Sequence, residues 1–318
     1  MLTNFIEMLS YDFIVRAFFA GLIISICAAL IGSSLVLRNR SMIGDGLSHV
    51  AFGATAIAIV LGIAPLEFAI PAVIVASILI LQISQNSRIN SDAAIAVLSA
   101  SALALGTFLI SIKPGVNIDL NSYLFGSILS ISMHDLIFCI ILGVIIVATF
   151  LLFRRQIFAI TFDENFASAI GIKVKFYNAI LAILCSLTIV IGMKMLGALL
   201  VSSLIIFPCL TAMNLSKTFR GNTVISVIIS IICFIFGLTL SYMFSTPTGA
   251  TIVLVNLIAL LLSWVYNKLR WAKKSVITNR SIKISKKPAT KMRKSQQTIN
   301  GFTTILFIAS FLSYSALP

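Results

Sequence analysis

Long apolar runs with almost no charge divide this sequence, and they limit its fold more than any other feature. Nine runs occur, each close to the ~20 residues that a helix needs to cross a bilayer. Hydrophobic residues make up 59% of the chain and charged residues only 10%, against about 25% charged in a soluble domain. The sequence therefore predicts an all-α, polytopic transmembrane bundle of about nine spans, and it excludes a soluble enzyme. The predicted spans are 13–37, 43–63, 66–84, 93–112, 134–153, 176–193, 195–213, 222–244 and 248–266.

Basic residues between the runs predict the orientation of the bundle. Counted by alternate loops, nine Lys and Arg side chains lie on one side, and three (Arg16, Lys113 and Lys194) lie on the other. Lys and Arg are retained on the cytoplasmic side of membrane proteins. The N-terminus is therefore predicted outside and the C-terminal tail in the cytoplasm, which requires an odd number of spans.

Most of the net charge of +14 comes from one segment near the C-terminus. Residues 267–300 hold eleven Lys and Arg and no acidic residue, whereas the rest of the chain has twelve basic against nine acidic side chains. Next to a membrane span, such a tail fits anionic lipid headgroups better than nucleic acid, so membrane lipids are expected partners and nucleic acid is not. We predict a transmembrane domain at 1–266 and, at 267–318, a basic cytoplasmic tail that ends in a short apolar segment, 302–317.

Two ionisable residues stand where the second apolar run begins, in the stretch SMIGDGLSHVAFG at 41–53. Asp45 and His49 are four residues apart and therefore share one face of a helix. A charged side chain at membrane depth costs at least about 2.5 kcal/mol unless it is paired, hydrated or bound. Carboxylate oxygen and imidazole nitrogen together suit zinc, manganese or ferrous iron, so the pair is a candidate metal contact.

Spacing alone leaves a simpler interpretation of this pair open. Asp45 and His49 could only bond each other, or could cap the helix. Two ligands also leave a metal ion under-coordinated, whereas a symmetric dimer around a central pathway would supply four. Ser48 is a candidate for orienting the two ligands.

The loop between the fifth and sixth runs contains a predicted short helix. Asp163 and Glu164 would begin it, because carboxylates favour the positive end of the helix dipole, and Gly171 would end it. An amphipathic helix that projects into the cytoplasm is suited to docking another protein, although a helix lying flat on the membrane is the alternative. The predicted docking residues are Phe162, Asp163, Glu164, Phe166, Ala167, Ile170 and Gly171.

Small and helix-breaking residues in the spans indicate packing or hinge positions. Gly197 and Ser202 allow helices to approach closely, and Pro208 frees a backbone carbonyl and predicts a kink. Together with Ser48 in the second run, these residues are the candidate pathway and hinge positions. The chain has no G-x4-GK[ST] phosphate-binding loop, so it cannot use ATP by itself. It also lacks the HExxH and GxSxG motifs of hydrolases, and we do not expect an enzyme.

Four segments of the sequence, taken in order, resemble one family. They are SMIGDGLSHVAFGA, FDENFASAIGIKV, KMLGALLVSSLIIFPCLTA and PTGATIVLVN, and the resemblance extends over nearly all of 13–266. The segments are similar to those of the membrane permease subunits of bacterial ABC importers for zinc, manganese or iron. The chain is therefore identified as a member of that family on the basis of its motifs.

The resemblance implies a function and a set of partners. A homodimer in the bacterial plasma membrane would move a divalent metal, its substrate, by alternating access, with no permanently bound cofactor. A cytoplasmic ATPase dimer, which hydrolyses the ATP, would dock on 161–171, and an external solute-binding protein would deliver the metal. Asp45 and His49 become the best candidates for metal contact in the pathway. A siderophore or cobalamin ABC permease and an ion-coupled secondary metal transporter are the alternatives.

Overall fold

The structure, a computed structural model, describes residues 11–86, 91–112, 126 and 131–269, and the regular structure in these ranges is entirely α-helical. The helices in chain order are α1 (Asp12–Leu37), α2 (Met42–Leu61), α3 (Pro65–Asn86), α4 (Ser91–Ile112), α5 (Met133–Leu152), α6 (Arg154–Phe162), α7 (Glu164–Ala169), α8 (Val174–Leu196), α9 (Ala198–Leu215), α10 (Phe219–Phe244) and α11 (Thr248–Leu269).

Within these described ranges, nine helices are long and apolar enough to cross a membrane, namely all except α6 and α7. This confirms the predicted all-α bundle of nine spans. The predicted ends differ from the observed ones by only a few residues, because the hydrophobic length of a span is written directly into the sequence.

Local signals explain where several helices begin and end. Gly62 adopts a left-handed conformation (φ 73°) and ends α2, as a glycine at this position commonly does. Ser132 and Asp135 form a reciprocal capping box that begins α5, and the Thr218 hydroxyl accepts the Gly221 amide at the start of α10. The predicted sixth and seventh runs meet near residue 194, whereas the structure separates α8 from α9 at Gly197.

The interior of the bundle is built around α1, which packs against α5, α8, α9 and α10. Helix α2 lies against α3 and α4 and is buried over most of its length, whereas most of α4 and α11 is uncovered. A second, smaller apolar cluster joins the short helices α6 and α7 to the spans. Its fully buried members are Leu30, Phe150, Ile157, Ile160, Ala167 and Leu181.

Because successive spans alternate in direction, the connecting segments fall into two sets. We call the end of the bundle with segments 38–41, 153–173 and 216–218 the basic end. The opposite end has segments 62–64, 197 and 245–247. Contacts between remote residues agree with this division, since Arg38 pairs with Glu164 at the basic end and Lys194 pairs with Asp135 at the opposite end.

The chain divides into two compact units, residues 1–264 and 265–318. The structure describes the second unit only as far as Leu269. The predicted basic tail beyond that residue, including the apolar segment 302–317, lies outside the described residues, and its boundary and cytoplasmic location stay predictions.

Candidate functional site

Helix α2 presents the predicted metal pair on a face that its neighbours leave partly uncovered. Glycines on its other faces allow close packing. A Cβ atom on Gly53 would stand 2.6 Å from the Ala102 carbonyl oxygen of α4, and one on Gly44 would contact Ile205 of α9. The neighbouring helices therefore occupy the glycine faces of α2, and Asp45 and His49 stay partly exposed, at 49% and 27% of their side-chain surface.

The two side chains lie close together but do not bond each other. His49 Nε2 is 3.8 Å from Asp45 Oδ2, which is too long for a hydrogen bond. No other side chain or backbone group in the described part of the chain bonds either of them. This distance argues against the interpretation that Asp45 and His49 only bond each other. The carboxylate oxygens and the imidazole nitrogen lie on one surface of α2, where they are candidate metal donors.

The remaining residues around the pair have different roles. The Ser48 hydroxyl is buried and donates to the Asp45 backbone carbonyl at 2.7 Å, so its proton is directed to the helix backbone rather than to a ligand side chain. Among the described residues, no cluster of three His, Cys, Asp or Glu side chains could hold a metal ion. One described chain thus offers two protein ligands and not a complete metal site.

The segment that leads into α2 is fastened to the predicted docking segment by a polar network. The Arg38 guanidinium pairs with the Glu164 carboxylate and also donates to Asn178 Oδ1 at 2.9 Å. Arg40 approaches the same carboxylate at 3.5 Å. Glu164 therefore connects α7 to the loop between α1 and α2, and Asn178 extends the network into α8.

Both arginines of this network are largely buried. Burial and, to a lesser extent, the adjacent Arg40 cation together lower the pKa of Arg38 to about 10. Burial also lowers the pKa of Arg40. A pKa near 10 still leaves Arg38 almost fully protonated at neutral pH, so its contact with Glu164 is a true ion pair.

The predicted start of the short helix is confirmed by the geometry around α7. Asp163 precedes the helix, and its carboxylate accepts the Asn165 and Phe166 amides at 2.9 and 3.0 Å. Gly171, with φ 85°, follows its end. These two residues define a short, well-capped helix next to the Glu164 network.

The predicted docking residues separate into an outward set and an inward set. Phe162, Phe166 and Ile170 are each more than half exposed, and we call these three residues the docking surface. Ala167 was predicted in the same stripe, but it is fully buried in the small cluster beneath α6 and α7. It cannot offer its side chain to a partner, because the turn of the helix directs it toward the bundle.

Three of the four predicted pathway and hinge residues lie in α9 or at the break between α8 and α9. Gly197 has φ 91° and ψ 154°, a conformation that is essentially restricted to glycine. Ser202 is buried, and its hydroxyl donates back to Ala198 and Leu199 carbonyls. Pro208 lies inside α9 and is also buried. These residues lie in α9 and at the break that precedes it, whereas Ser48 lies in α2.

Two ion pairs in the structure, Arg38–Glu164 and Lys194–Asp135, are not predicted by the sequence. The Arg38–Glu164 pair joins positions 126 residues apart, so no local pattern could reveal it. In the second pair, the Lys194 ammonium donates to Asp135 at 2.6 Å, across 59 positions of the chain. The signal available in advance was that Arg38, Asp135 and Lys194 stand at or near the ends of apolar spans.

Comparisons with known proteins agree with one another. The profile of the ABC 3 transport family matches residues 10–267. A manganese import system permease protein of Streptococcus gordonii, ScaB, is 33% identical over 87% of this chain and 100% of its own length. A high-affinity zinc uptake system membrane protein of Haemophilus influenzae, ZnuB, is 30% identical over 80% of this chain and 97% of its own.

A solved structure is similar over the same region. It is that of PsaBC from Streptococcus pneumoniae in complex with a Fab, and its matching chain is 31% identical. The match covers 83% of this chain and 95% of the other, with a TM-score of 0.75. The similarity in three dimensions thus extends over most of the bundle described above.

Proposed function

The chain belongs to the ABC 3 transport family, and from this premise we propose that it is the membrane permease subunit of an ATP-driven metal importer. Its substrate is a divalent transition metal: manganese, zinc or iron. The nine apolar helices and the permease relatives make it a multi-pass protein of the bacterial plasma membrane. It transports rather than catalyses, and its metal is cargo rather than a resident cofactor.

The observation that best supports a bare metal ion as cargo is the Asp45–His49 pair. A partly exposed carboxylate and imidazole share one face of a transmembrane helix, and neither forms a hydrogen bond with another side chain among the described residues, which supports a role in binding a ligand from outside the chain. Oxygen and nitrogen donors together suit first-row divalent ions. The names of the relatives, one for manganese and one for zinc, fit the same class of cargo.

A homodimer completes the metal site in this proposal. Two donors are too few for zinc, which is held by three or four protein ligands. A second copy related by a two-fold axis would bring a second Asp45 and His49 to the same pathway. The partial exposure of both side chains in one chain is what a shared site of this kind requires.

The energy source in this proposal is a separate ATPase dimer on the docking surface. Force applied to α7 would reach Glu164, then Arg38 and Arg40, and then α2, whose Asp45 follows Arg40 by only five residues. The basic end accordingly faces the cytoplasm, and an external solute-binding protein delivers the metal at the opposite end. Movement of α2 by this route would expose the metal alternately to the two sides.

The two alternatives from the sequence are not favoured. A siderophore or cobalamin carrier needs a wide path and has no use for a paired carboxylate and imidazole. An ion-coupled secondary transporter needs neither a docking helix nor an ATPase, and such transporters are commonly built from internal repeats with paired broken helices. The similarity to manganese and zinc permeases over most of the chain favours the importer.

Reconstitution with its ATPase tests the proposed function. The chain is co-expressed with the ATPase subunit of its importer, purified as a complex and placed in lipid vesicles with the solute-binding protein outside. ATP inside the vesicles should drive uptake of manganese, zinc or iron, and the preferred cation should stimulate ATP hydrolysis. Equal uptake by the permease alone under a proton gradient, without an ATPase, would assign it to the secondary transporters instead.

A further inference from the structure

A cavity at the basic end lies apart from the Asp45–His49 pair and shares one residue, Phe162, with the docking surface. It has a volume of about 590 Å³, within the ~300–1,000 Å³ typical of small-molecule sites. It lies between α6 and the connection from α9 to α10. We call it the basic pocket, and its lining residues are Arg154, Arg155, Phe158, Phe162, Lys217, Thr218, Phe219 and Arg220.

The charge of this pocket has one sign. Four of its eight lining side chains are basic, and none is acidic. Arg154, Arg155 and Arg220 form no ion pair with any carboxylate in the described residues. Helix α10 also begins in this wall, so the positive end of its dipole adds to the potential. The pocket therefore favours an anion.

The inner wall is aromatic. Phe158 packs against Phe162 at a ring-centroid distance of 5.1 Å and against Phe219 at 5.2 Å, and the Phe162 and Phe219 rings are 6.1 Å apart. Phe219 is almost completely buried, whereas Phe158 is about half exposed and Phe162 more than half exposed. The ligand that fits this wall is amphipathic, with an anionic group beside an apolar one.

The depth of the pocket is set by the ends of three spans. Arg154 and Arg155 follow the last residue of α5 almost directly, Lys217 follows α9, and Arg220 is in the first turn of α10. Side chains at the ends of apolar spans lie at the level of the lipid headgroups. Basic pockets between transmembrane helices on the cytoplasmic side bind anionic lipid headgroups, and the proposed function places the basic end on that side.

From these observations we propose that the basic pocket binds an anionic phospholipid. The phosphate lies among Arg154, Arg155 and Arg220, and the glycerol and the upper acyl chains lie against Phe158 and Phe162. The chemistry recognised is a phosphate ester joined to hydrocarbon. Because Phe162 also belongs to the docking surface, the bound lipid would support the side of α6 next to the site where the ATPase is proposed to dock.

The test measures lipid retained by the purified full-length complex. Vesicles of equal parts phosphatidylglycerol and phosphatidylcholine supply the lipid, and mass spectrometry counts the molecules that remain after detergent extraction. The wild type should retain phosphatidylglycerol well above its share of the bilayer. The double variant Arg155→Gln/Arg220→Gln should retain about tenfold less, and Phe158→Ser should also lower retention although it leaves the charge unchanged.

A matched control removes the same charge elsewhere at the basic end. Lys173→Gln/Lys175→Gln changes two exposed basic residues before and at the start of α8, and it should retain as much phosphatidylglycerol as the wild type. Equal retention by the two double variants would overturn the proposal. So would complete displacement of the lipid by millimolar inorganic phosphate, since the ligand would then be the free anion.

The competing occupant is the ATPase itself, and a second measurement separates it. Recovery of the ATPase with the permease should be unchanged in Arg155→Gln/Arg220→Gln when the bilayer supplies phosphatidylglycerol. If that variant loses the ATPase while it keeps its lipid, the pocket is a protein contact and the proposal is wrong. Thermal unfolding of each variant confirms that the bundle is intact and that the losses are local.

Discussion

At the scale of single residues, Glu164 connects the two parts of the proposed mechanism. Its carboxylate accepts from Arg38 and lies within 3.5 Å of Arg40 and of Asn178. These partners come from the loop before α2 and from α8. One acidic side chain on a short helix thus fixes the position of that helix against two spans.

Neutralising Glu164 should uncouple ATP hydrolysis from transport. Glu164→Gln leaves Arg38 buried beside a neutral amide, and the loss of a charged hydrogen bond of this kind costs roughly 1–3 kcal/mol. We expect metal uptake to fall about tenfold, while the complex still assembles and hydrolyses ATP. Uptake and hydrolysis measured in the same vesicles give this ratio directly.

Two further variants test whether the effect of Glu164→Gln comes from its ion pair with Arg38. Glu67→Gln, an exposed residue at the opposite end, should leave the ratio unchanged. Arg38→Gln should resemble Glu164→Gln, and the double variant should be less impaired than the sum of the two, because the residues act as one unit. Additive effects would show that Arg38 and Glu164 do not work together.

At the scale of helices, the sequence predicts the spans well and their packing poorly. Hydropathy determines the nine spans because each run must match the thickness of a bilayer. It does not determine which residues of α7 face inward, and Ala167 is buried because of contacts with Ile157 and Leu181 from other helices. Local spacing indicates the candidate metal pair and the capping Asp163, whereas the Arg38–Glu164 pair arises only when the end of α1 meets α7.

The break between α8 and α9 depends on Gly197. Any side chain at φ 91° and ψ 154° is strained, and the cost of such a conformation is about 1–3 kcal/mol. Gly126 also lies directly on the backbone of Leu196 and Gly197, which restricts relaxation there. Gly197→Ala should therefore lower the thermal midpoint of the purified permease, whereas Leu199→Ala, on a partly exposed side chain of the next turn, should have little effect. An unchanged midpoint in Gly197→Ala would mean that this conformation is not required.

The docking surface makes a separate prediction about the ATPase. Phe166→Ser and Ile170→Ser remove exposed apolar side chains, and the loss of an anchor of this type costs about 1–2 kcal/mol at an interface. Each variant should reduce ATPase recovery with the permease by about tenfold. The control is Phe176→Ser, because Phe176 is equally exposed at the basic end. An equal loss of ATPase recovery in this control would show that α7 has no special role in docking.

At the scale of the whole molecule, three features of one bundle act together in the proposed mechanism. The metal pair lies on an incompletely covered face of α2, the docking surface lies on α7, and a buried ionic network joins the two helices. In the proposed function, a second copy of the chain completes the pathway. The central claim is that the metal passes Asp45 and His49 on its way through this dimer.

Metal uptake by reconstituted vesicles, with each of these two side chains neutralised in turn, tests that claim most directly. The chain provides close controls, since its only other histidine is His134 and Asp92 is an exposed acid in the first turn of another span. We predict that Asp45→Asn and His49→Gln each lower ATP-driven uptake at least about tenfold, while the complex assembles normally and Asp92→Asn and His134→Gln transport at the wild-type rate. Wild-type uptake in both Asp45→Asn and His49→Gln would show that the metal does not depend on these two side chains for its passage.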